Sequence, residues 1–124
     1  MTCDDGTLPE NSPALRWTQL LVESSTKIGC PLDSPNNYKQ LLTDAGFTNI
    51  VLTEYKWPMN SWPRDPKYKE LGIWVYENMQ QGLQALSLAL FTKALGWTLE
   101  QVEVFLMEVR KDLKDKTKHG YWKL

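Results

Sequence analysis

One histidine, His119, stands in the closing run KHGYWKL beside Tyr121 and Trp122. An imidazole there suits general acid or base work near neutral pH, or is only a polar residue near a helix end. Glu54, inside FTNIVLTEYKW, is either a site carboxylate or a solvent-facing one. Trp57 and Trp62 are each followed by proline in YKWPMNSWPRDPKYKELG, which stiffens their backbones. Held rigid, they form an aromatic wall for a flat apolar ligand or pack over helix ends. Tyr55, Trp17 and Trp74 stand behind them as further wall residues. For a catalytic reading the first candidates are therefore Glu54 and His119, with the five aromatics contacting substrate.

Other chemistries are excluded or weak. A single histidine rules out two-histidine mechanisms and His-paired metal sites. There is no GxSxG elbow, no P-loop and no GxGxxG, and the glycines are too scattered to cradle a phosphate. The DDG at Asp4 to Gly6 reads as a turn, because no calcium-loop ligands follow it. Cys3 and Cys30 form no metal motif, and a stable bridge is not expected from a cysteine in a polar, frayed terminus. No metal is expected.

The chain must supply elements to position these residues. At 124 residues, with 42% hydrophobic and 23% charged side chains, it is sized for a single domain over 1–124. A net charge of -1 gives no electrostatic case for nucleic acid. No signal-peptide pattern opens the sequence, and the most apolar window, Leu71 to Trp97, is broken by charges and glutamines. No membrane is expected, and a cytoplasmic setting, or the nucleus, fits best.

Ser12-Pro13 and Ser34-Pro35 each pair an N-cap with a proline at the first helical position. Trp17, Leu20, Leu21, Ser24 and Ile28 follow the first at helical spacing up to Gly29. Tyr38, Leu41, Leu42 and Ala45 follow the second up to Gly46. Asn49 to Trp57 reads as a strand, with its start buried on both faces. Asp65-Pro66 opens a third helix, whose stripe is Tyr68, Leu71, Val75, Met79, Leu83, Leu86, Leu90 and Ala94, ending at Gly96. Gly72 and Gly82 inside it suggest a bend or a close contact. Thr98 and Gln101 form a capping-box pattern before Val102, Phe105, Leu106, Val109 and Leu113, and the tail Arg110 to Lys118 is basic. The end, KHGYWKL, reads as a strand just begun. The expected fold is α+β and mostly helical, with four helices and two short strands. Such a sheet needs helices to cover it or another chain to extend it.

Several stretches line up together: DDGTLPENSPALRW at Asp4 to Trp17, LLTDAGFTNIVLTEYKWPMNSWPRDPKYKELG at Leu41 to Gly72, GLQALSLALFTKALGWTLEQVEVFLMEVRKDLKD at Gly82 to Asp115, and the closing KHGYW. In this order and spacing they resemble the fungal class I S-adenosylmethionine-dependent methyltransferases of the LaeA-like type, over nearly the whole chain. The resemblance implies the C-terminal portion of such an enzyme. Asn49 to Trp57 is then the sixth strand of its sheet, and a seventh begins near Tyr121. The cofactor-binding Rossmann half, with its glycine-rich turn and acidic residue, has no counterpart here. No cofactor-binding residue is carried over, and the family cofactor S-adenosylmethionine is not expected in this chain.

The resemblance thus implies a truncated, methyltransferase-derived protein of fungal secondary-metabolite biosynthesis that does not methylate alone. Two further readings stand beside it. One is a small binding or interaction module for an apolar metabolite, a homo-oligomer partner or a complementing methyltransferase chain. The other is a cofactor-free isomerase or cyclase acting by shape and exclusion of water.

Overall fold

The computed structural model describes all of residues 1–124. Four helices and two three-residue strands form it, as the α+β expectation holds. The order is α1 (Pro13–Lys27), a 3-10 turn (Ser34–Asn37), α2 (Tyr38–Asp44), β1 (Lys56–Pro58), α3 (Pro66–Leu95), α4 (Leu99–Lys114) and β2 (Tyr121–Lys123).

Three of the four expected caps act where the sequence puts them; Ser34 does not, because it is the first residue of the 3-10 turn, whose N-cap Asp33 makes no side-chain cap hydrogen bond. Ser12 Oγ accepts from the Leu15 amide at 3.2 Å, with Pro13 opening α1. Asp65 Oδ1 accepts from the Lys67 and Tyr68 amides at 2.9 and 3.2 Å ahead of α3. Thr98 and Gln101 close a reciprocal capping box on α4. Each cap satisfies amides that a helix start leaves without partners, worth about 1 kcal/mol. Gly96 ends α3 in the left-handed conformation at φ 70°.

Helices α1, α3 and α4 pack on one another around a single core. Trp17, Leu20 and Leu21 of α1 meet Leu83 and Phe91 of α3 and Val102, Leu106, Val109 and Leu113 of α4. The buried line on α3 is Gly72, Val75, Leu83, Ser87 and Phe91, so part of the expected stripe is displaced: Tyr68 and Leu86 are exposed. Ser87 is on that line because it meets the edge of the Trp17 ring. The indole N–H donates to Ser87 Oγ at 2.8 Å, and Ser87 Oγ donates to the Leu83 carbonyl at 2.6 Å. A buried indole thus keeps its hydrogen bond without water.

Gly72 marks the close contact expected of the α3 glycines. A Cβ there would lie 2.0 Å from the Asn60 carbonyl oxygen, so the helix backbone rests directly on the segment before it. At Gly82 the nearest atom is an ordinary 3.8 Å away.

Two expectations are corrected. The strand Asn49 to Trp57 is regular only over Lys56–Pro58, and its start is not buried on both faces. Val51 is 85% exposed and Leu52 61%, because no strand or helix covers them. The N-terminal lead-in is not frayed. Thr2 and Tyr121 exchange backbone hydrogen bonds at 2.9 Å, and Leu8 enters the core. β2 therefore runs between Thr2 on one side and β1 on the other, antiparallel to β1 with Trp57 opposite Trp122. Both cysteines are free thiols. No helix is long and apolar enough to cross a membrane.

Candidate functional site

The proline-rich segment after β1, the lead-in and β2 meet at one end of the bundle. Side chains alternate along a strand, so Lys56 and Pro58 share one face of β1 while Trp57 takes the other. On the Lys56 face lies a cleft of about 290 Å³ walled by Pro58, Trp62, Pro63, Tyr68 and Tyr121, with Asp4 and Lys56 at its polar side.

The polar side is tied together. Tyr121 O–H donates to Asp4 Oδ1 at 2.6 Å, and Lys56 Nζ donates to Asp4 Oδ2 at 2.7 Å. Lys56 Nζ also sits 4.5 Å from the centre of the Tyr121 ring, a cation–π geometry. The hydrogen bond from Lys56, then that from Tyr121, holds the Asp4 carboxyl below the usual carboxylate range. The same bond from Asp4's side raises Lys56 above the usual lysine value.

Trp62 forms the hinge to a second cluster. Its indole N–H donates to the Gly120 carbonyl at 3.0 Å, and its ring stacks on His119 with centroids 4.7 Å apart. Behind the stack, His119 Nδ1 meets Asp5 Oδ2 at 2.5 Å. Thr7 Oγ1 donates to Asp5 Oδ1 at 2.7 Å and accepts from the His119 amide at 2.8 Å. The bonds from His119 and then Thr7 press the Asp5 carboxyl far below its ordinary range. A carboxylate on Nδ1 fixes the imidazole's orientation and leaves Nε2 as the other functional nitrogen, an arrangement that supports proton transfer.

The structure brings Trp62 and His119 together and places the other named residues elsewhere. Trp57 lies on the opposite face of β1 from the cleft. Glu54 and Tyr55 lie in the exposed stretch before β1, where the Tyr55 backbone pairs with Leu124. Trp17 is in the core, and Trp74 is 67% exposed on α3. Asp4, Asp5, Lys56, Tyr68 and Tyr121 have no site role in the sequence reading. DDG is the turn it reads as, yet its two carboxylates anchor both clusters. No local signal reveals this, because Lys56, His119 and Tyr121 lie between 52 and 117 residues away. No group of side chains with metal-binding geometry occurs.

Comparison with known proteins adds the ancestry. A probable methyltransferase, tdiE, of Emericella nidulans is 43% identical over 122 residues, 98% of this chain and 38% of the relative. The methyltransferase pytC of Aspergillus terreus is 38% identical over 90% of this chain and 35% of its own length. The secondary metabolism regulator LAE1 of Cochliobolus heterostrophus is 34% identical over 96% of this chain and 39% of its own length. The chain is homologous to one part of the fungal LaeA-like methyltransferases. It spans between 35 and 39% of the length of these three relatives. No family model matches the chain, and no solved structure matches it.

Proposed function

We propose that this chain is the substrate-side, C-terminal lobe of a LaeA-like methyltransferase fold, serving fungal secondary-metabolite biosynthesis. In this reading the cleft at Trp62 holds a flat apolar metabolite, and residues 26–57 receive a complementary, sheet-bearing half. One observation carries the docking. From Thr26 to Trp57 no residue is buried, although the stretch holds Leu32, Tyr38, Leu41, Leu42, Phe47, Val51, Leu52 and Tyr55. Helix α2 packs on nothing except its own 3-10 turn. An apolar run of this length left bare marks a surface built to be covered. The homology to proteins more than twice as long supplies the kind of partner: strands that would extend β1 along its open edge.

S-adenosylmethionine does not belong to this lobe in that reading. Class I enzymes hold it at the carboxyl ends of parallel strands beside a glycine-rich turn. Here the sheet is antiparallel and three residues deep, and the left-handed glycines at 29, 46 and 96 follow helices. The residues present do not fit the cofactor, so no methyl transfer is routed through them.

Two measurements test the proposal. Calorimetry of the chain with S-adenosylmethionine is expected to show no micromolar binding; saturable binding to the chain alone would overturn it. Hydrogen exchange across 47–55 is expected to slow when the portion of the Emericella relative that this chain does not match is added. Unchanged exchange rejects the docking surface.

A second reading, a cofactor-free isomerase or cyclase, is favoured by the oriented Asp5–His119 pair directly behind Trp62. It needs no second half. It predicts that His119→Gln abolishes turnover of a substrate that the isolated chain converts, while Trp57→Phe, on the other face, leaves turnover intact.

A further inference from the structure

Helix α4 carries a line of exposed residues opposite its buried side: Glu100, Val104, Met107, Lys111 and Lys114, spaced by three or four. Val104 is 64% exposed and Met107 56%. The acidic start and basic end suit the helix dipole. The dipole gives no reason for two large apolar side chains standing bare between them. Four of its charges are also arranged symmetrically about Met107. Glu100 and Lys114 each lie seven residues from it, and Glu103 and Lys111 each lie four. Two such helices laid antiparallel, centred on Met107, place every one of these glutamates against a lysine.

We propose that a second copy of this chain docks antiparallel on the outer face of α4, with the two-fold axis beside Met107. Met107 of one copy then meets Met107 of the other, a self-complementary contact of the kind a two-fold dimer requires. Glu100 faces Lys114 of the partner copy, and Glu103 faces its Lys111, with Arg110 alongside. Two hollows flank the seam and admit the partner's side chains. One, about 570 Å³, lies beside Trp97, Val104 and Phe105. The other, about 270 Å³, lies beside Gln84, Leu106 and Met107. The two Glu108 carboxylates approach each other on one side of the axis. Each is already bound to its own Lys111 at 2.7 Å, which offsets the repulsion. Helix α4 makes no contact with α2, so this contact does not depend on the docking of a complementary half.

A seam of one helix per copy is small for a specific interface, so the dimer is weak and steered by charge. Sedimentation velocity of the intact chain is expected to show a reversible dimer that loosens as salt is raised. Glu103→Lys alone and Lys111→Glu alone are each expected to weaken it about tenfold, since each places two like-charge pairs across the seam. The double variant is expected to recover part of the loss, since the cross-seam pairs return but Glu108 no longer has Lys111 to offset it. Circular dichroism checks that α4 stays helical in each. Independently, Met107→Cys in a Cys3→Ser, Cys30→Ser background is expected to form an intermolecular disulfide on mild oxidation. A chain monomeric at all concentrations up to about 1 mM overturns the proposal. So does a dimer lost on Val51→Glu but indifferent to the α4 charges, which would place the contact on the apolar run instead.

Discussion

The lead-in, which holds no helix, and the run from Thr26 to Trp57, which holds α2, behave oppositely. The lead-in is held by Thr2 on β2, by Leu8 in the core and by Asp4 and Asp5 on Lys56, Tyr121 and His119. The 26–57 run has more apolar residues and buries none of them. Hydrophobic content therefore does not decide which segment is fixed. What decides is whether a partner surface lies within reach, and the bundle offers one to the lead-in and none to the run. If the 26–57 surface is built for another body, substitutions there will cost this chain little, while substitutions around the lead-in and its supports will cost much.

Gly72→Ala is expected to do the greatest damage. A methyl group 2.0 Å from the Asn60 carbonyl forces α3 off the segment that carries Met59 and Trp62. Urea unfolding should show a loss of about 3 kcal/mol. A loss as small as an ordinary helix glycine replacement would mean that the segment is loosely held.

Asp112→Ala comes next. This buried carboxylate accepts from the Ala14 amide at 3.1 Å and pairs with Lys118, joining the start of α1 to the segment that leads into β2. Removing it strands a buried amide and a half-buried ammonium, at about 2 kcal/mol by the same measurement.

The acidic pair at 4 and 5 makes the junction sensitive to acid. Both carboxyls titrate lower in the folded chain than in the unfolded one, where the ordinary value is about 3.9. Their contribution is full above that value and drains away as pH falls below about 4 toward the folded values. Melting temperatures for Asp5→Asn should fall less steeply below pH 4 than those of the parent. Parallel acid limbs would detach Asp5 from stability.

The smallest effect is expected at Val51→Ser, within about 0.5 kcal/mol of the parent because the side chain is already in water. The same variant should weaken association with a complementary half. A large loss of stability from Val51→Ser would erase the contrast between the two regions.

Legibility followed the range of the interactions. Ser12, Asp65 and Thr98 cap helices that the sequence marked correctly, since a cap and its amides lie within three residues. Homology to the LaeA-like proteins was legible too, through the order and spacing of its stretches. Trp62 was found by its proline neighbour, but Trp57 shares that neighbour and lies on the other face of β1. The strand expected over Asn49 to Trp57 is regular only over Lys56–Pro58, since propensity alone does not hold a strand and backbone pairing begins only at Tyr55.

The sequence by itself determined the helices, the caps at Ser12, Asp65 and Thr98, the charge polarity of α4 and the likeness to one part of the LaeA-like proteins, because each depends on neighbours a few residues apart or on pattern along the chain. Only the tertiary structure decided that Asp4 and Asp5, read as a mere turn, would hold Lys56, Tyr121 and His119 around Trp62. Those partners lie as far as 117 residues away, and nothing local to either end encodes the meeting. The packing of α1, α3 and α4 brings the two ends of the chain together, and it leaves the apolar run at 26–57 in water.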